Sequence, residues 1–386
     1  MSWPLVKLGD VAPAKPSKNA FSKSEEVWTL NLDQVEADTG KVLGKIMAPV
    51  SEAGTSTHGF DERHVLYSKL RPYLNKVVLP DGRGLATTEL VPMLPDPSRL
   101  DRKYLAYYLR SKSFVDWVSS QVAGAKMPRV SMQLFWQHEI PLPPLPEQKR
   151  IAAILDKADA IRRKRQQAIQ LADDFLRAVF LDMFGDPVTN SKGWGVRALS
   201  NLIDESRGVS YGVVQRGEQA DEGIPLVRIS DIATNEFRSE DVVKCSKSIS
   251  DQYRRTILHG GELLISIRGT VGRVAEVPSM AAGWNISREV AVIPILSGVS
   301  SSFLKWLLLS SPIQRSLAGQ IKGVAQSGIN LVDLRKLPVI CPPAAVIEDF
   351  EFAERKIREK YILCAEKING NELFSSLSQK AFAGLL

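Results

Sequence analysis

Apolar and polar positions alternate in short β-branched runs: VWTLNL and HVLYSKL early in the chain, then PLVRISDI, ELLISIRG and EVAVIPI, each bounded by Gly, Pro or Asn. A period of two with such punctuation predicts strands. From Tyr104 to Val122 and from Phe303 to Ile321 the apolar residues instead recur at helical spacing, so each globular stretch is expected to be α+β.

A different pattern follows each stretch. Pro146 suits a first helical position, Glu147 suits the positive end of the helix dipole, and no Gly or Pro intervenes before Gly185, which precedes Asp186-Pro187. Ile154, Ala158, Ile161, Arg165, Ala168, Ala172, Phe175 and Val179 recur in steps of four and three, a coiled-coil seam broken only by Arg165. A helix of roughly forty residues is on the order of 60 Å long. After Pro342-Pro343 a poorer seam runs through Phe350, Ile357, Tyr361, Cys364, Ile368, Phe374 and Leu377, with Asn369-Gly370-Asn371 as a predicted weak point. Two such seams bury their apolar residues best against each other.

The chain also repeats itself. WPLVKLGDVA from Trp3 has a counterpart in WGVRALSNLID from Trp194, and HVLYSKLRPYLNKVVLPD from His64 matches GELLISIRGTVGRVAEVP from Gly261 with a one-residue gap. That alignment pairs Ser68 with Ser266, Arg71 with Arg268 and Lys76 with Arg273. GAKMPRVSMQLFWQHEIPLPPL from Gly124 aligns without gaps to GVAQSGINLVDLRKLPVICPPA from Gly323, at a constant offset of 199. Two copies of about half the chain therefore stand in tandem.

Composition narrows the classes. The 386 residues exceed one comfortable core, and 44% hydrophobic with 24% charged residues are those of an ordinary globular protein. A net charge of +7 and a pI near 9.2 suit a polyanionic partner. No apolar run approaches the ~20 residues of a membrane span and the start lacks a signal-peptide pattern, so a cytoplasmic protein is expected. Cys245, Cys341 and Cys364 are widely separated and read as buried thiols.

PLPPLPEQKRIAAIL from Pro141, FLRAVFLDMFGDPVTNSKGW from Phe175 and the closing LFSSLSQKAFAGLL from Leu373 resemble the DNA-specificity subunits of type I restriction-modification enzymes. The resemblance implies two tandem α+β target recognition domains, residues 1–143 and 187–341, separated by two long antiparallel coiled-coil helices, residues 144–186 and 342–386. It further implies that each domain reads one half of a bipartite DNA site, and that the helices set the spacing and recruit two methyltransferase subunits and restriction subunits. Glu147, Gln148 and Arg150 fall at the implied partner contact, and CPPAAVIEDF in the second copy departs from LPPLPEQKRI there.

The chain lacks a GxxxxGK[ST] loop, an [ND]PP[YF] motif and any HExxH or His-Cys cluster. S-adenosylmethionine, ATP and Mg are therefore expected of partner subunits, with no cofactor or metal in this chain. A stand-alone DNA-modifying or DNA-cleaving enzyme is the alternative. For DNA contact the candidates are Lys69, Arg71, Lys76, Arg268 and Arg273, which also suit a charged edge strand, and the Gly-marked loop residues Lys126, Arg129, Gln326, Ser327 and Asn330. Glu89 and Glu289 read as ion-pair partners, and the Asp-Pro pairs at Asp96 and Asp186 as turns.

Overall fold

The computed structural model describes residues 3–386 except 19–20, 55, 125–126, 216, 218–221, 234–235, 240–241, 322–327 and 363–369, and only the backbone of 123, 233, 361–362 and 370–372. These residues form two compact units, one of residues 1–166 with 366–386, the other of residues 167–365.

In the first unit Leu5–Lys7 pairs antiparallel with Glu139–Pro141, joining the two ends of the globular part. A four-stranded sheet runs Ile46–Pro49, Glu26–Leu30, Gly84–Thr87, Thr57–Phe60, with Glu26–Leu30 parallel to Gly84–Thr87. A second sheet runs Val77–Val78, Val65–Ser68, Leu90–Met93. All four residues of Val65–Ser68 are buried, and Tyr67 packs against Phe114 and Phe135.

The long helix, Leu145–Phe184, starts and stops where its end signals predict; Gly185 takes the left-handed conformation that ends it. Its first turns dock on the helix Arg102–Leu109, where Asp156 accepts from the Tyr107 hydroxyl and pairs with Lys103, both at 2.7 Å. Ile151 and Leu155 complete this core together with Ala381, Phe374, Leu377 and Phe382 of the helix Gly370–Phe382. Arg162 lies over the Phe374 ring at 5.2 Å while Arg150 donates to the Leu386 carbonyl at 2.8 Å, so the two helical segments run antiparallel in this unit.

The second unit repeats the plan. Gly195–Ala198 pairs with Pro338–Cys341, and Ile224–Val227 lies parallel to Asn285–Ile286 and antiparallel to Lys244–Cys245. The other sheet runs Ser210–Tyr211, Val290–Ile293, Leu263–Ser266, Val274–Glu276. A parallel pair set among antiparallel ones thus recurs in both units, which bears out the α+β class and the tandem repeat. Leu176, Phe180 and Phe184 of the long helix meet Phe303 and Phe350, the latter on the helix Ala344–Ile357, and the rings of Phe180 and Phe184 lie with centroids 4.9 to 5.6 Å from those of Phe303 and Phe350.

Four expectations change. The helices predicted over Tyr104–Val122 and Phe303–Ile321 each split in two, into Arg102–Leu109 with Lys112–Ser120 and Ser301–Leu309 with Ser311–Gly319. The break falls at Ser111 and Ser310, whose hydroxyls donate to the carbonyls three residues back, Tyr108 and Leu307. Such local bonds compete with helix continuation. The buried stripe of the long helix is Ile151, Leu155, Ala158, Ala172, Leu176, Phe180 and Phe184, because the helix packs on the globular parts; the seam residues Ile161 and Phe175 are 44% and 57% exposed. The closing helix changes to a π-turn at Arg358–Ile362; Cys364 and Ile368 and the side chain of Tyr361 lie outside the described residues. Cys245 is buried and Cys341 only partly so. Among the described residues no helix is long and apolar enough to cross a membrane.

Phe350 is fully buried against Phe180, Phe184 and Trp306. Phe350→Ala is expected to cost ~3–5 kcal/mol in the second unit. Hydrogen exchange should report it as lost protection of the Ser301–Leu309 amides; unchanged protection there would contradict this account of the core.

Candidate nucleic-acid interface

Segments that carry candidate residues, about sixty positions apart in the sequence, meet in each unit. In the first, the chain leaving Val65–Ser68 runs beside the segment that leads into the helix Met132–Gln137. The Arg71 amide donates to the Pro128 carbonyl at 2.8 Å, the Val130 amide donates to the Lys69 carbonyl at 3.1 Å, and Leu70 pairs with Arg129 in a β-bridge. In the second, the Ile329 amide donates to the Ile267 carbonyl at 2.9 Å, and Arg268 forms the bridge with Gly328.

Lys69, Arg71 and Arg129 therefore share one surface of the first unit. Arg129 grips Glu89 with two guanidinium nitrogens, Nη2 at 2.8 Å and Nε at 3.1 Å, which holds the Glu89 carboxyl below its ordinary range; Lys69 adds to that field. Glu289 accepts from the Ser287 hydroxyl at 2.9 Å and lies 3.5 Å from Arg288. Both glutamates therefore have internal partners. Arg71 is exposed, and among the described residues its guanidinium has no hydrogen bond or ion pair.

Other candidates are spent on the fold. The Lys76 ammonium donates to the Leu32 carbonyl at 2.7 Å, and Arg273 donates to the carbonyls of Ile229 and Ile232 at 3.1 and 3.0 Å. Leu32 and Ile229 each open a 3-10 turn after the parallel strand, so these sequence-matched cations do the same structural work in both units. Asn330 caps the helix Leu331–Arg335 by accepting from the Val332 amide at 2.9 Å. Lys126, Gln326 and Ser327 lie outside the described residues.

At the start of the long helix Glu147 and Arg150 form an exposed pair at 2.7 Å, which lowers the Glu147 carboxyl. Gln148 departs from the partner-facing role expected of it. It is fully buried, its amide oxygen accepting from the Asp101 amide at 2.7 Å and its nitrogen donating to the carbonyls of Arg99 and Pro143 at 2.8 and 2.7 Å. The packing demanded a polar clamp there, and a sequence carries no sign of which face of a first turn is covered.

Sequence reasoning missed a cavity of about 600 Å³ in the second unit, lined by Tyr211, Gln252, Arg254, Arg255 and Arg335 among others. Its residues come from three separate segments without motif spacing. Tyr73, two residues after Arg71 in the run already singled out, was also missed, because its exposure is set by the turn it sits on. Among the described residues no His, Cys, Asp and Glu group is arranged to hold a metal ion.

Gln148→Ala should cost about 1–3 kcal/mol, because it strands a buried amide and two carbonyls. Glu147→Ala should leave the melting temperature near that of the parent protein. Equal melting of the two variants would remove the clamp assignment.

Comparison with known proteins adds an independent line. Residues 2–171 match the family described as Type I restriction modification DNA specificity domain. The specificity subunit of the type I restriction enzyme EcoBI from Escherichia coli is 28% identical over 72% of this chain and 65% of that protein. The MjaIX specificity subunit from Methanocaldococcus jannaschii is 20% identical over 93% of this chain and 88% of that protein. The match to the EcoDI specificity subunit of Escherichia coli spans less than half of that relative, 43% of its length. A solved chain from work on complex assembly and conformational transition of the type I R-M system has the same fold, with a TM-score of 0.50 at 18% identity over 100% of this chain and 98% of that one. Residues 2–171 thus resemble a type I restriction modification DNA specificity domain, and the chain resembles type I restriction enzyme specificity subunits over most of its length.

Proposed function

We propose that this chain is the non-catalytic DNA-specificity subunit of a type I restriction-modification system. The observation that carries the reading is the recurrence, in two units of one plan, of a surface where a strand end and the approach to a short helix meet, within a chain whose first half matches a DNA specificity domain. Each unit then reads one half of a bipartite duplex site. Lys69, Arg71, Arg129 and Arg268 are the contacts we assign.

The cationic side chains supply phosphate attraction and base-edge donors, the two ingredients of sequence-specific DNA binding. Reaction steps fall to partners: two methyltransferase subunits using S-adenosylmethionine, and restriction subunits using ATP and Mg. The Glu147–Arg150 pair, exposed at the start of the long helix, is the partner contact we assign in the first unit. One unbroken helix, Leu145–Phe184, contributes to both units, and we read its length as the determinant of the spacer between half-sites.

Two measurements test this. Exchanging residues 187–341 for those of a relative should change one half of the N6-methyladenine motif mapped in cells carrying the whole system; a change in both halves would contradict independent reading. Inserting four residues between Ala168 and Leu171 adds ~6 Å of helix and should lengthen the spacer by about one or two base pairs, at ~3.4 Å each. A fully active insertion variant with its spacer unaltered would move the spacing function to the partners.

A further inference from the structure

The two units build the same turn from different residues. In both, the amide of a buried serine, Ser68 or Ser266, donates to the carbonyl of a cation across the turn, Lys76 at 3.1 Å or Arg273 at 2.9 Å. Between these ends each turn has two left-handed positions. In the second unit they are Gly269 at φ 68° and Gly272 at φ 91°; in the first they are Arg71 at φ 48° and Asn75 at φ 49°. The bridges fix the correspondence, since Leu70 faces Arg129 as Arg268 faces Gly328. The partner of Arg71 is therefore Gly269, and the Arg71–Arg268 pairing suggested by the sequence alignment is off by one.

Glycine takes the left-handed conformation without steric cost, asparagine tolerates it, and arginine is strained there. Asn75 has a visible reason, its side-chain amide donating to the Arg110 carbonyl at 3.3 Å. Arg71 has none inside the unit: its side chain is exposed and has no polar partner among the described residues. Its backbone is nevertheless tightly held. The Arg71 amide donates to Pro128, its carbonyl accepts from Leu74 at 2.9 Å, and Pro72, which follows, is buried. Tyr73, half-exposed, stands at the crest of the same turn.

A cation wanted only for its charge does as well on a relaxed backbone nearby, because phosphate attraction is tolerant of direction. A strained, fixed backbone is worth keeping when the direction of the side chain matters, and guanine recognition by an arginine fork is such a case. Resting on the reading of this chain as a DNA-specificity subunit, we infer that Arg71 is a base-reading side chain for the half-site of the first unit, aimed by its left-handed backbone. The second unit, with glycine at that position, reads its half-site with other residues.

The strain separates function from folding in one substitution. Arg71→Gly removes the side chain and relieves the backbone, so the purified full-length variant should melt at or above the temperature of the parent. Assembled with its cognate methyltransferase subunits, it should bind and methylate the parent motif less, on the order of tenfold. Methylation mapping should show relaxation at one base pair of one half-site, the other half unchanged. Arg71→Lys, which keeps the charge without the fork, should relax the same position. Equal loss on every sequence with a shallower salt dependence would mark a phosphate contact and overturn the assignment, as would unchanged specificity or a lower melting temperature for Arg71→Gly. A parent complex that neither binds nor methylates DNA would overturn the DNA-specificity reading itself, an outcome distinct from any difference between parent and variant.

Discussion

Each unit completes its hydrophobic core with side chains from far along the chain, and the rest of the structure depends on that requirement. The first unit has Tyr104, Tyr108 and Phe114 from its own helices, yet it closes only with Ile151 and Leu155 and with Phe374, Ala381 and Phe382, the last packed on both tyrosines at 5.4 and 5.2 Å. The second unit closes Trp306 and Phe303 with Leu176, Phe180, Phe184 and Phe350. Apolar area removed from water is the main favourable quantity in folding. A stretch that needs distant segments to achieve it cannot fold independently of the helices that deliver them. The helices are thus part of each globular core, and their burial stripe follows the globular partner rather than a two-helix seam.

The helix junctions also bury charge. In the second unit Glu354 is nearly enclosed and accepts from the Trp306 indole at 2.8 Å and from the Ser302 hydroxyl, while burial pushes the Lys305 ammonium down and the Asp173 carboxyl up. In the first unit Asp159 pairs with Arg162 and Arg163 at 2.6 and 2.5 Å, and burial lowers Arg110. Removing one partner of such a pair is costlier than the pair is stabilising, because the remaining charge stays desolvated. Within the run Arg162 to Arg165, Arg162 is accordingly buried and Arg163 is ion-paired.

Repetition inside the chain separates structural from functional cations in a way that a single domain does not permit. Lys76 and Arg273 occupy matched positions and hold matched carbonyls, so their recurrence reflects a shared turn. Arg71 and Gly269 occupy matched positions with unlike chemistry, so the first unit departs from the cheaper solution. Recurrence marked both arginine and lysine candidates equally in the sequence; only their contacts distinguish them.

The sequence by itself determined the tandem α+β repeat, the strands at Glu26–Leu30, Val65–Ser68, Ile224–Val227, Leu263–Ser266 and Val290–Ile293, and the start and end of the long helix, because strand alternation and helix-end chemistry are local properties. The strands Ile46–Pro49, Thr57–Phe60 and Gly84–Thr87 carried no such alternation signal. It also contained most of the residues of the candidate interface. Tertiary structure decided what those residues do: that Lys69 and Arg71 meet Arg129, that Gln148 is an internal clamp, that Phe374 belongs to the core of the first unit and that Ile161 and Phe175 stay exposed. Each of these depends on which face of an element another element covers. That is set by contacts between segments tens to hundreds of residues apart, and local periodicity carries no record of them.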